Sequence, residues 1–108
     1  MAVSYIQFDA LRSLGFGSIS GSYAAVGTAL TVKPRTICIT NNTNGDMIFS
    51  NGGSVDHIFL PAGAFRLLDI TTNRDATDDT FKMKVGDRLY VKQSTAPSSG
   101  SVYFEVTY

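Results

Sequence analysis

The sequence predicts an all-β protein: an antiparallel β-sandwich or jelly-roll-like barrel of about eight short strands. Three observations predict it. Apolar and polar residues alternate with a period of two, β-branched and aromatic residues fill those runs, and turn residues separate them at short intervals. An eight-stranded jelly roll and an immunoglobulin-like sandwich both fit this spacing. At 108 residues, the chain is expected to form a single β domain, residues 1–108.

The alternation is clearest in residues 81–85 (FKMKV) and 102–107 (VYFEVT), where every second residue is apolar. Asn44-Gly45 is the strongest hairpin signal in the chain, because both residues tolerate the backbone angles of a tight two-residue turn. In chain order, the predicted strands cover residues 3–8, 36–40, 47–50, 57–60, 65–70, 81–85, 88–93 and 102–107.

Two segments do not follow the strand pattern. Residues 8–14 predict at most one or two helical turns, capped by Asp9. Residues 15–31 consist mostly of Gly, Ser, Ala and Thr and carry no charged side chain. This second segment is either a long loop that includes a strand or an extended arm that becomes ordered against a neighbour, and the sequence leaves both interpretations open.

Composition excludes several classes of protein. Nine Lys and Arg residues balance nine Asp and Glu residues, which excludes a strongly basic nucleic-acid-binding protein. No apolar run approaches the roughly 18–20 residues of a membrane span, so neither a nucleic acid nor a membrane is expected as a partner. The single cysteine excludes an intrachain disulfide scaffold. Residues 1–20 contain one cation, Arg12, and lack a signal-peptide pattern, so assembly in a cytoplasm is expected.

No catalytic motif is present, and we expect neither enzymatic activity nor a cofactor or metal. His57 and Cys38 are the only residues of their types, and we interpret them as a half-exposed strand histidine and a small core side chain. Asp75, Asp78 and Asp79 lack the spacing of a calcium-binding loop, which favours a solvated turn.

The candidate interface residues are aromatic or apolar. Phe16, Tyr23 and Leu30 are the large side chains of residues 15–31 that would have to be buried if that segment ordered on assembly. Tyr90 and Tyr103 fall on the polar phases of their strands, a position typical of interfaces, of sugar-stacking sites and of ordinary cross-strand packing.

Charge is unevenly distributed along the chain. Acidic residues are in excess over residues 69–79 and basic residues over residues 82–92, an arrangement that could set the register of an oligomer across an interface. The alternative is that these charges solvate neighbouring strands. A formal net charge of zero also gives little repulsion between copies.

Several strand-and-turn patterns resemble small virion proteins of tailed bacteriophages. They are residues 22–27 (SYAAVG), 41–46 (NNTNGD), 59–65 (FLPAGAF), 89–92 (LYVK) and 99–103 (SGSVY). The resemblance spans about residues 20–108. Because these patterns are not active-site motifs, no functional residue transfers from them.

The resemblance implies a non-enzymatic structural component of a bacteriophage virion, assembled in the bacterial host cytoplasm. A capsid decoration or cement protein is favoured, with copies of itself and other virion proteins, such as the major capsid protein, as partners. A neck or tail structural protein is an alternative. A second alternative is a carbohydrate-binding host-adsorption module that uses Tyr90, Tyr103 and the aspartate turn.

Overall fold

The computed structural model describes residues 6–69 and 83–108 and confirms the all-β prediction. Within these residues the only helical element is a single 3₁₀ turn, Phe16–Ser18. The eight strands are β1 (Arg12–Gly15), β2 (Ala24–Ala25), β3 (Thr36–Thr43), β4 (Met47–Asn51), β5 (Ile58–Leu60), β6 (Phe65–Asp69), β7 (Leu89–Gln93) and β8 (Gly100–Thr107).

The strands form two four-stranded antiparallel sheets. The first sheet has the order β1-β8-β3-β6 and the second has the order β2-β7-β4-β5. Strand 1 therefore pairs with strand 8, 2 with 7, 3 with 6 and 4 with 5. This is the order of a jelly roll, in which one long hairpin is rolled into two facing sheets. Of the two sandwich types that the strand spacing allows, the pairing selects the jelly roll.

The core lies between the two sheets. The central pairing joins β3 to β8 along eight residues, from Thr36 opposite Thr107 to Thr43 opposite Gly100. Alternate residues of these strands point inward, as the period of two predicts. Phe104 and Phe49 both belong to this core with almost no exposed surface, and burial of each such side chain stabilises the fold by about 1.5–3 kcal/mol. The remaining fully buried apolar side chains are Val26, Leu30, Ile37, Ile39, Met47, Met83, Leu89, Val91, Val102 and Val106.

Six predicted strands are present, with bounds that differ by a few residues, and two are not found as expected. Residues 3–5 of the first prediction lie outside the described residues, and Phe8 makes only an isolated bridge to Thr107. The described part of the strand predicted at residues 81–85 is not a strand. Met83 is buried, but the chain then turns, and the Asp87 amide donates to the carbonyl of Lys84 at 3.0 Å.

The helical turns predicted over residues 8–14 are wrong. Residues from Arg12 onward form β1 instead, paired with β8. Asp9 does not cap a helix, because its carboxylate accepts a hydrogen bond from the guanidinium of Arg12 at 2.8 Å. The edge of β8 gives this segment backbone partners along one side, which seven residues with weak helical patterning do not obtain alone.

Residues 15–31 pack on their own domain. Ile19, Val26 and Leu30 belong to the core. The Val26 amide donates to the carbonyl of Leu89 at 2.8 Å, and the Leu30 amide donates to that of Asp87 at 2.8 Å. The segment thereby supplies β2, the edge strand of the second sheet next to β7.

Candidate functional site

The outer surface of the first sheet carries several exposed apolar side chains. Since Ile37, Val102 and Phe104 point into the core, the residues that alternate with them point outward. The strand register places these outward residues in rows. One row contains Tyr103, Thr40 and Phe65, and the next contains Glu105, Cys38 and Leu67.

This surface exposes large apolar side chains. Phe8 is 83% exposed, Phe65 67%, Leu67 65% and Leu11 60%. A single exposed leucine is ordinary, but several on one face are typical of an interaction site. We call this surface the apolar face and define it by Phe8, Leu11, Cys38, Phe65, Leu67 and Tyr103.

A groove of about 450 Å³ runs across the apolar face. Phe8 and Leu11, which precede β1, line it together with Leu67 of β6. Cys38 and Glu105, neighbours on the paired strands β3 and β8, also line it. The groove is therefore a channel between the chain before β1 and the opposite edge strand of the sheet.

One carboxylate in the groove lacks a cationic partner within the described chain. Glu105 is exposed, and no described Lys or Arg side chain forms an ion pair with it. Asp9 lies in the same groove, but it is paired with Arg12, and the hydrogen bond from that guanidinium lowers the pKa of Asp9. The groove thus combines apolar walls with a carboxylate that has no cationic partner among residues 6–69 and 83–108.

The second sheet carries a different, polar cluster. The Tyr23 hydroxyl donates a hydrogen bond to Asp56, and the Nζ atom of Lys92 lies 2.9 Å from the same carboxylate. Lys92 also lies over the Tyr23 ring, 4.8 Å from its centroid. The hydrogen bonds from Tyr23 and then Lys92 lower the pKa of Asp56, while burial and then the bond to Asp56 raise the pKa of Tyr23. The three side chains are polar partners for one another, and their contacts hold the segment before β2 against the second sheet.

The five candidate interface residues do not form one surface. Tyr103 lies on the apolar face, whereas Tyr23 and Tyr90 lie on the outside of the second sheet. Phe16, 41% exposed, occupies the 3₁₀ turn after β1. Leu30 is 2% exposed and is a core residue of its own chain, so it is unavailable to a partner in this conformation.

The residues suggested for carbohydrate binding are likewise separated. Tyr90 and Tyr103 project from opposite sheets, on the two outer sides of the sandwich. The aspartate turn, with Asp75, Asp78 and Asp79, lies outside the described residues. The two tyrosines therefore do not contribute to a common sugar-stacking platform.

Cys38 and His57 are also placed on different sheets. Cys38 points outward from β3 into the groove and is not the core side chain that its strand position suggested. His57 precedes β5, and its Nδ1 accepts a hydrogen bond from the Asn51 amide at 3.3 Å. In residues 6–69 and 83–108, no group of three His, Cys, Asp or Glu side chains is placed to hold a metal ion. No helix in those ranges has the length and apolar character needed to span a membrane.

No protein-family model, curated protein or solved structure matches this chain.

Sequence reasoning missed most of the apolar face. Phe65 and Leu67 alternate in the sequence with the charged Arg66, but Arg66 is the residue that lies opposite the buried Ile39. The apolar pair therefore faces outward, the reverse of what alternation with a charged residue predicts, and the pattern of β6 did not indicate its exposure. The two residues of the face that precede β1 gave no signal either, because their position on the face depends on pairing with the far end of the chain.

Proposed function

We propose that this protein is a non-enzymatic structural component of a bacteriophage virion, a capsid decoration or cement protein that binds its neighbours through the apolar face. The observation that carries the proposal is the exposure of Phe8, Leu11, Phe65 and Leu67 on one face around the groove. A face of this kind leaves water most favourably by packing on another protein surface.

The free energy of association favours an interface that buries the whole apolar face. An apolar side chain fully removed from water contributes about 1.5–3 kcal/mol. Association costs roughly 4–15 kcal/mol in lost translational and rotational freedom. One such residue cannot offset that cost, whereas four together reach the required range.

The fold is compatible with the proposal but does not select it. Jelly rolls serve in viral capsid domains and also in lectins and cupins. The strand order by itself therefore supports a virion role only by analogy. The resemblance of residues 20–108 to small phage virion proteins favours the first of these uses. A neck or tail location would use the same face and is the alternative placement.

The test is incorporation into particles. Tagged wild-type protein and the Leu67→Asp variant would be expressed during infection of the host, and their copy number in gradient-purified particles measured by quantitative immunoblotting. Because Leu67 is 65% exposed, the variant should keep the wild-type melting temperature. We expect wild-type protein in the particles and at least a tenfold loss of Leu67→Asp, since a buried unpaired charge is costly.

Ser54→Asp is the matched control, because Ser54 is exposed and lies between β4 and β5 of the second sheet. It should enter particles at the wild-type level. Absence of the wild-type protein from particles would refute the virion role. Incorporation of Leu67→Asp at wild-type copy number would refute the apolar face as the contact.

A further inference from the structure

A second exposed feature, the turn at residues 84–88, has properties complementary to those of the groove. We call it the basic turn. The Gly86 amide donates to the Leu30 carbonyl at 2.7 Å, and the Leu30 amide donates to the Asp87 carbonyl at 2.8 Å, so the turn is fixed to the domain on both sides. Its tip is Val85, which is 58% exposed although it is apolar.

The basic turn presents positive charge around Val85. Lys84 precedes it with a side chain that is 63% exposed, and Arg88 follows. Asp87, the one acid of the turn, is only 14% exposed, and its carboxylate accepts hydrogen bonds from the Lys84 amide at 3.0 Å and from Asn51 at 3.1 Å. Lys84 Nζ lies 3.3 Å from Asp87, an exposed contact of the kind that contributes little to stability. Lys84 can therefore exchange this contact for another carboxylate at small cost.

We propose that the basic turn of one copy docks in the groove of a second copy, with Val85 against Leu67 and Leu11 and with Lys84 paired to Glu105. The inference rests on the proposed function, since it names the partner that the apolar face binds. Each side supplies what the other lacks: the groove has apolar walls and a carboxylate without an ion pair to any described residue, and the turn has an exposed apolar tip beside a cation.

The charge balance of the whole chain favours a second copy as the occupant. Nine cations offset nine anions, so two copies meet without net repulsion while the local charges attract. The two contacting patches are different, which makes the contact heterologous. Repetition of such a contact produces a closed ring or an open chain of subunits, both of which suit a particle surface.

The size of the face predicts a weak pairwise contact. A face of four strands and eight residues measures roughly 19 × 26 Å, or about 500 Å². Standard stable interfaces bury about 800 Å² on each partner. Two free copies should therefore associate reversibly at high concentration, and ring closure or attachment to a particle would strengthen the assembly by multivalency.

A charge swap tests the contact directly. Glu105→Lys should disable the groove, and Lys84→Glu should disable the basic turn. Sedimentation velocity of the wild-type protein at high concentration should show reversible association, and each variant alone should associate at least about tenfold more weakly. An equimolar mixture of the two variants should recover association, because each groove then meets a turn of opposite charge on the other variant.

Lys33→Glu is the matched control, because Lys33 is exposed and lies outside both patches. Its association should equal that of the wild-type protein. Glu105→Gln, which keeps the shape of the side chain, should weaken association in the same direction as Glu105→Lys. Melting temperatures should stay within error of the wild-type value in the Lys33 and Glu105 variants. Lys84→Glu brings a second carboxylate near Asp87 and should melt slightly lower while remaining folded at the assay temperature.

Two results would overturn the inference: a wild-type protein that stays monomeric at high concentration, or a mixture of the swapped variants that stays as dissociated as each variant alone. Neither result bears on the particle test above. If Leu67→Asp is lost from particles while the charge swap fails, the apolar face retains its proposed function and binds a different partner.

Discussion

Gly27 packs directly on the side chain of Arg12. A Cβ atom on Gly27 would lie 2.7 Å from the Cβ and Cγ atoms of Arg12, and Gly27 has a φ angle of +72°. This close approach lets the Arg12 Nε donate to the Thr28 carbonyl at 2.9 Å. Arg12 is 7% exposed and joins the start of β1 to the segment before β3.

Gly27→Ala should lower the free energy of unfolding by about 2–4 kcal/mol, because the methyl group adds a steric clash to the cost of a positive φ. Urea denaturation followed by circular dichroism measures the change. Gly63→Ala is the control: its φ is +80° and a Cβ there meets nothing within 4 Å, so it should cost only about 1–2 kcal/mol. Equal losses in both variants would contradict the role given to Arg12.

Asn41 should be the most sensitive polar residue of the core. Its fully buried amide donates to the carbonyls of Gly45 at 2.9 Å and Leu60 at 3.0 Å, and its Oδ1 accepts from the Thr43 hydroxyl at 2.6 Å. Asn41→Asp removes the two donors and introduces a charge, and we expect a loss of about 2–4 kcal/mol in denaturant unfolding. Asn42→Asp makes the same chemical change at the adjacent exposed position and should have almost no effect. Similar losses at both positions would show that charge, not the buried hydrogen bonds, is responsible.

Asp56 should contribute to the acid sensitivity of the fold. Its pKa is lowered in the folded protein by the hydrogen bonds from Tyr23 and Lys92. Its stabilising contribution is therefore complete above the ordinary aspartate pKa of about 3.9 and is lost as the pH falls through the lowered value. Asp56→Asn should reduce the melting temperature at neutral pH, and the difference from wild type should shrink in acid.

Glu105→Gln is the control for this pH series, because Glu105 forms no ion pair with the described residues. At protein concentrations low enough to keep the chain monomeric, its melting profile should follow that of the wild-type protein across the acid range. A constant difference between Asp56→Asn and wild type from neutral to acid pH would contradict the assigned role of the ionised carboxylate.

Cys38 should report occupation of the groove. It is half-buried at the surface of the apolar face and is the only cysteine in the chain. Maleimide should label it readily in dilute protein and more slowly once copies associate, because a docked side chain would cover the thiol. Cysteine placed by Ser54→Cys in a Cys38→Ser background should label at the same rate under both conditions. A concentration-independent rate at Cys38 would contradict docking in the groove.

The sequence was sufficient to predict the strands whose local residue pattern agrees with their pairing in the folded protein. Strands β3, β4 and β8 alternate clearly, and each has a well-marked turn beside it. β1 was missed, and β2 was covered only by one of the two interpretations of residues 15–31, because partners impose both conformations. Residues Arg12–Gly15 become extended by pairing with β8, and Ala24–Ala25 by pairing with β7. Local propensity is weak in both, and tertiary context overrides it.

The candidate site was harder to predict than the fold. Tyr103 was correctly assigned to an outward phase, but its neighbours Phe65 and Leu67 come from a strand nearly forty residues earlier. Leu30 was assigned to an interface because its segment looks like an arm, yet the same apolar side chain fills the domain's own core. Hydrophobicity alone does not distinguish a side chain that packs on its own chain from one that packs on a partner.

The pairing of strand 1 with strand 8 has a consequence for folding during synthesis. β8, Gly100–Thr107, lies between β1 and β3 in the first sheet, so neither strand has its main partner until that segment has left the ribosome. The β4–β5 hairpin, in contrast, can form early from local contacts. We therefore expect folding to be slow, as it is for proteins dominated by non-local pairing, and to be completed only after β8 has left the ribosome. Until then, β3 can pair with β6 on one side only, and its other edge would be unpaired, so the nascent chain would be most prone to aggregation at that stage.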